Sequence, residues 1–357
     1  MSKDYFKPLT GVRAIAAYMV FLHHFNPFKD VESSVLYHFV EELYVGVTLF
    51  FVLSGFLIAY RYIDIKNFSI KTYLINRAAR IYPMYLILCT LTFIFYQYEK
   101  VSDNMGLIYL LNITFLKGFS EDFLFTGIAQ GWSLTVEETF YFSAPLIFFL
   151  LQFSKKLLPL IFLVIVMTGI VLVKVFSRLD LYGFFDSYQF MFNYTYFGRS
   201  FEFMTGIALA IIYKKNKSII KGSFFTYTGI LLFSVCVVIM SLVKGNAKYS
   251  IMLPEGIFIN NIILPVSGIS LFFYGLLKEE TIVSKFLGSN LLIILGKSSY
   301  IFYLIHMGVI ASFVLRISEN MLIFFIIINI ISYILFTTLE EPLNKYIRKR
   351  FYKNPTF

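Results

Sequence analysis

Long apolar runs broken by isolated charges set the pattern of this chain. Ten runs of about twenty residues, each long enough to cross a bilayer as a helix, fall at approximately 10–27, 43–60, 80–97, 132–152, 157–175, 198–213, 224–243, 255–277, 291–314 and 320–340. The stretch 105–117 (MGLIYLLNITFLK) is apolar but too short to cross, which predicts a re-entrant or interfacial piece. The expected fold is an all-α membrane protein, a polytopic bundle of about ten transmembrane helices. It forms a single membrane domain over residues 1–357, with no further domain fused to it. The first run carries Arg13 and His24 and lacks a small-residue cleavage site, so it reads as a retained span and not as a secretory signal.

Composition agrees with the pattern. Of the 357 residues 58% are hydrophobic and 15% charged, with mean hydropathy +0.75, whereas soluble domains run near 25% charged. If residue 1 starts in the cytoplasm, the inside segments hold 22 of the 31 Lys and Arg, leaving nine outside. These inside charges include Lys3, Lys7, the Arg61–Arg80 block, Lys214–Lys221 and the Lys345–Lys353 tail. That bias follows the positive-inside rule, and an even number of spans then puts both termini in the cytoplasm. The net charge of +10 is thereby spread over loop ends as orientation signals, which argues against nucleic acid as a partner. The tail from Lys345 to Arg350 is suited to rest on anionic lipid headgroups. Cys89 and Cys236 fall inside spans without a CxxC spacing and read as small core residues.

The polar residues inside the spans carry the chemistry, because an ionisable group in hydrocarbon costs several kcal/mol and needs a partner or a role. Arg13 and His24 are eleven residues apart. At 100° per residue His24 returns to within roughly 20° of Arg13, while His23 lies about 80° off that face. The plain alternative is that Arg13 reaches the headgroups and His24 bonds a neighbouring backbone. In the second run, Gly46 to Phe56 (GVTLFFVLSGF) reads as a packing surface of small residues. Arg77 and Arg80 share a face at the start of the third run, as a bidentate phosphate clamp or as topological anchors. Gly131 to Tyr141 (GWSLTVEETFY) brings the sole Trp, Trp132, to an interface and carries Glu137 and Glu138 into a span. A carboxylate near His24 would orient its imidazole, and Glu137 is the candidate. Arg199 and Glu202 open the sixth run and can pair with each other. His306 is a second intramembrane histidine, either a polar site or a satisfied helix contact. Tyr182 to Tyr188 combines aromatic faces with Asp186, as a sugar platform or an ordinary aromatic belt. No metal site is expected, since His23 and His24 cannot face one ion and no H-x-x-x-H spacing exists.

The segments LTGVRAIAAYMVFLHHF, GVTLFFVLSGFL, RAARIYP, GWSLTVEETFY, RSFEFMTGIALA and SYIFYLIH, in this order, resemble the bacterial acyltransferase 3 family over nearly the whole chain. Its members are multipass O-acyltransferases that modify surface glycans. The family's R-x10-H pattern falls on Arg13 and His24, its R-x-x-R on Arg77 and Arg80, and its W-S-L-x-x-E on Trp132 and Glu137. The resemblance implies a bacterial inner (plasma) membrane protein that moves an acyl group, acetyl above all, from cytoplasmic acetyl-CoA to a hydroxyl of a surface or lipid-linked glycan. Arg13, Arg77 and Arg80 would hold the donor, His24 would act as base with Glu137 holding its ring, and Trp132, Arg199, Glu202 and His306 would face the acceptor. Two departures are Thr10 and Thr48, where many members carry Asp. Many relatives also carry a C-terminal extracytoplasmic hydrolase-like domain, for which this sequence has no counterpart. The rival readings are a polysaccharide exporter, which would predict broken helices and two-fold repetition, and a non-catalytic subunit of an assembly complex.

Overall fold

A computed structural model describes residues 6–31, 34–65, 68–97, 104–179 and 181–351. Lys3 and Lys353 of the charge map lie outside the described residues. The chain forms α1 (Lys7–His24), α2 (Val35–Glu41), α3 (Gly46–Tyr62), α4 (Ile70–Gln97), α5 (Met105–Ile113), α6 (Trp132–Phe153) and α7 (Leu158–Phe176). It continues through α8 (Tyr188–Tyr194), α9 (Tyr196–Lys215), α10 (Phe224–Val243), α11 (Pro254–Phe258), α12 (Ser270–Lys278) and α13 (Ile282–Leu287). The last four are α14 (Asn290–Ile305), α15 (Val309–Ile317), α16 (Met321–Leu335) and α17 (Glu341–Phe351). Among the described residues there is no strand, only an isolated bridge between Ser120 and Phe184.

Seven stretches are long and apolar enough to cross a membrane: Val35–Tyr62, Ile70–Phe95, Ala129–Phe153, Lys155–Phe176, Phe224–Val243, Pro254–Lys278 and Met321–Phe351. The pair α14 and α15 makes an eighth if counted as one span, but it is bent by 94°. The ninth run therefore departs from the straight helix expected over 291–314. Its break falls at Gly308, whose φ of 85° is open to glycine and strained for other residues. α1 and α9 have 18 and 20 residues, long enough to span, but neither is among the seven. α9 carries Arg199, Glu202, Lys214 and Lys215, and α1 carries Lys7, Arg13, His23 and His24. The expectation of ten spans counts both of these polar helices. As expected for 105–117, α5 is too short to cross at nine residues.

The polar helices lie at the centre. α1 packs against α3, α13 and α14, and α3 packs along α9. Small residues set these distances. A Cβ on Gly206 of α9 would come 2.1 Å from the Val52 carbonyl oxygen of α3, and one on Gly55 would come 2.3 Å from that of Phe203. Gly296 and Gly11 play the same part where α1 meets α14 and α13. This close approach is how helices associate where water provides no driving force between them, and it accounts for the glycines of the GVTLFFVLSGF segment.

The segments 114–131 and 181–187 lie against each other. Lys117, fully buried, donates from Nζ to the carbonyls of Thr126 (2.7 Å) and Ile128 (2.6 Å). Ser120 bonds the Tyr182 carbonyl. The two segments are thus latched together, with Phe115, Tyr182 and Phe185 all at positive φ, an uncommon conformation for bulky residues.

Candidate functional site

α1 and α14 run side by side and each presents a column of polar groups to two adjoining chambers. On α14, Tyr300 and Tyr303 line the chambers, and His306, capping the helix end and fully buried, lies against His24 outside both linings. On α1, Arg13 and His24 are separated by eleven residues, about 16 Å of rise. The chamber at the Arg13 end is lined by Arg13, Arg77, Arg80, Ser54, Glu137, Tyr141 and Tyr300. The one at the His24 end is lined by His23, His24, Gln130, Trp132, Asn193, Tyr194, Arg199 and Tyr249. Val47 and Tyr303 line both and form the wall between them. The Tyr303 hydroxyl is pinned between Ser133 Oγ (3.0 Å) and the Gln130 carbonyl (3.3 Å).

The Arg chamber is the smaller of the two, about 70 Å³. Among the described residues none of Arg13, Arg77 and Arg80 forms an ion pair, and Arg77 Nε is buried without a hydrogen-bond partner. The Arg77 guanidinium lies over the Tyr141 ring at 5.7 Å. Glu137, instead of holding His24, accepts hydrogen bonds from Ser54 and Tyr141 within this chamber. The geometry of α6 explains the correction. Trp132 and Glu137 are five residues apart, which is about 7.5 Å along the helix and roughly 140° around it. Trp132 can therefore line one chamber while Glu137 lines the other.

The His chamber is larger, about 330 Å³. His24 Nδ1 lies 3.0 Å from Nε2 of His306, with the rings stacked at 5.2 Å between centroids. His306 is fully buried, and its Nδ1 lies 3.2 Å from the Phe302 carbonyl. A carbonyl only accepts, so His306 Nδ1 carries the proton, and its Nε2, in the neutral ring, is an acceptor. His24 must then donate from Nδ1. Its Nε2 is left with a lone pair, in a tautomer fixed by His306. His23, off this face, bonds the Glu41 carbonyl at 2.7 Å.

Arg199 and Glu202 pair with each other at 2.6 Å, and both are buried. Arg199 also donates to Thr48 Oγ1 (2.8 Å), which in turn donates to Asn260 (2.9 Å). Of the pair only Arg199 reaches the His chamber wall. The Tyr182–Tyr188 segment does not line it. Phe185 packs instead against Val173 and Met191 in a separate cluster. Sequence reasoning also placed Ser54 in the packing surface alone, and the structure adds its bond to Glu137. Among the described residues no three His, Cys, Asp or Glu side chains gather as metal ligands would.

Comparison with known proteins identifies the family. Residues 7–339 match the family defined by the acyltransferase domain, and the chain belongs to that family. It is a multi-pass helical membrane protein. A Staphylococcus aureus (strain COL) protein provisionally named an O-acetyltransferase is 24% identical over 333 residues, covering 86% of this chain and 51% of its own length. The peptidoglycan O-acetyltransferase OatA of Listeria monocytogenes is 25% identical over 234 residues, covering 60% of this chain and 35% of its own. A provisionally named acetyltransferase of Acidianus two-tailed virus is 30% identical over 162 residues, 44% of this chain and 46% of its own length. The chain spans about half the length, or less, of these relatives. No solved structure matches it.

Proposed function

We propose that this protein is a membrane O-acyltransferase that moves an acetyl group from cytoplasmic acetyl-CoA to a hydroxyl of an extracytoplasmic surface glycan. The observation that carries the reading is the pair of adjoining chambers: unpaired arginines in one, and in the other a histidine with a free lone pair. In this reading the bundle crosses a bacterial plasma membrane ten times with both termini in the cytoplasm, α1 and α9 included. The Arg chamber then opens inward and the His chamber outward.

Arg13, Arg77 and Arg80 hold the donor's phosphates, for which guanidinium forks are suited. The pantetheine arm follows the Arg13–His24 column and brings the thioester to the wall at Val47 and Tyr303, where side chains must part to admit it. In the His chamber a sugar stacks on Trp132 or Tyr194, with Arg199 and Asn193 beside it. His24 Nε2 takes the proton of the attacking hydroxyl. The oxygen forms its bond to the acyl carbon, the C–S bond breaks, and the CoA thiolate leaves and is protonated. His306 keeps the base in the right tautomer. Support for acetyl and for a glycan comes from the names of the relatives, two O-acetyltransferases, one of them acting on peptidoglycan. The test is His24→Ala in the producing cell, with surface polysaccharide acetylation read by NMR and membrane abundance by immunoblot. Acetylation disappears at unchanged abundance if the assignment is right, and retained acetylation overturns it.

A further inference from the structure

α17 is a basic helix (EPLNKYIRKRF) that the sequence assigns to the lipid headgroups. In the fold it packs along α4, and its basic residues divide. Lys345 pairs with Glu341 at 2.8 Å and Arg350 donates to the Tyr346 hydroxyl at 3.3 Å, both exposed. Arg348 instead is half-buried, its Nε shielded from solvent, with Arg77, Arg61 and Arg80 close enough to act on its charge. Around it several hydrogen-bond donors lie buried with no partner: Nε of Arg77, Nε of Arg348, and the hydroxyls of Tyr62 and Tyr73. The two tyrosine rings are 5.0 Å apart, and Arg61 lies over Tyr62 at 5.4 Å. Unsatisfied buried donors are rare, and among the described residues no carboxylate lies within ion-pair distance of these guanidiniums. One species answers both conditions: an anion with several acceptor oxygens, bound by the donors and neutralising the charge.

We propose that Arg348, Arg61 and Arg77, with Tyr62 and Tyr73, form a phosphate-monoester site at the mouth of the Arg chamber, with α17 as its clasp. Resting on the donor reading above, the site takes the 3′-phosphate of the CoA nucleotide. It thereby selects CoA over the same molecule lacking that phosphate. The same chemistry could be met by an anionic lipid headgroup, and the test separates the two sources.

Full-length protein in phosphatidylcholine nanodiscs is titrated calorimetrically with CoA and with dephospho-CoA. The wild type is expected to bind CoA roughly tenfold more tightly, the share of one charge-assisted contact set. Arg348→Gln is expected to erase that preference while leaving dephospho-CoA binding unchanged. If Arg348→Gln does not fold, Arg61→Gln carries the same comparison. Wild-type protein that binds neither ligand removes the donor reading and this site with it. Equal wild-type affinity for the two ligands overturns the site alone. So does a variant that keeps the CoA preference and loses only its binding to phosphatidylglycerol vesicles, which assigns the cluster to lipid.

Discussion

Replacing His306 separates a residue that fixes the base from one that only fills space. His306→Leu keeps an apolar side chain in a fully buried position but removes the acceptor 3.0 Å from His24 Nδ1. His24 then has a ring N–H with no partner on that side. Leaving a buried donor unsatisfied costs about 1–3 kcal/mol. If that cost is escaped by moving the proton to Nε2 or turning the ring, the lone pair leaves the chamber. At 1.36 kcal/mol per factor of ten, kcat should fall roughly 5- to 150-fold, with the KM for acetyl-CoA little changed, because the donor arginines lie in the other chamber. His306→Gln, whose side-chain carbonyl can accept from His24, should recover part of the loss. The assay is release of CoA thiol from acetyl-CoA in the presence of an acceptor glycan, on purified protein whose monodispersity is checked by size exclusion. If His306→Leu turns over within twofold of wild type while His24→Ala is inactive, the relay is refuted. Equal damage by Leu and Gln, with both KM and stability affected, makes His306 merely structural.

Other perturbations follow from the same geometry. Arg77→Lys keeps the charge but loses the planar fork, so the KM for acetyl-CoA should rise about tenfold or more while kcat holds, read in the same thiol assay. Gly206→Val places side-chain carbon against the Val52 carbonyl at the α3–α9 contact. Overpacking of this kind costs about 1–3 kcal/mol and should lower the melting temperature in detergent; an unchanged melt would mean that the contact is looser than described. Arg199→Met leaves the buried Glu202 carboxylate unpaired, a loss of about 3–5 kcal/mol. The double change Arg199→Met with Glu202→Met should regain much of that stability in thermal unfolding, and failure to regain it would show that the pair is not coupled. Lys117→Met frees the carbonyls of Thr126 and Ile128, and faster proteolysis of the 114–131 segment should report the loosening.

Helix-face arithmetic relates only residues that sit on one helix: Arg77 and Arg80 line one chamber, and Arg13 and His24 line adjoining ones. It gave no way to place helices against one another, and the misplacement of Glu137 followed from that. Nothing in the chain between Ser54 and Glu137, or between His24 and His306, says that these pairs meet. A signal for His306 was present in the three-residue recurrence of Tyr300, Tyr303 and His306, a polar stripe through an apolar run. The two helices least like membrane spans, α1 and α9, proved to be the ones at the centre. Arg199 and Glu202 pair with each other inside the bundle, which hydropathy along the chain cannot register. The aromatic segment at 182–188 lies outside the chamber lining, its backbone pinned to Ser120, a contact 62 residues distant in sequence.

The central claim is that donor and acceptor meet at His24 across the wall shared by the two chambers. Its most direct test uses purified full-length protein in sealed liposomes, with radiolabelled acetyl-CoA offered on the side of the Arg chamber and a glycan acceptor on the other. The account predicts label on the glycan with wild-type protein, and none with His24→Ala at equal reconstitution. Label transferred by the His24→Ala protein, or transfer only when donor and acceptor share one side, would contradict it.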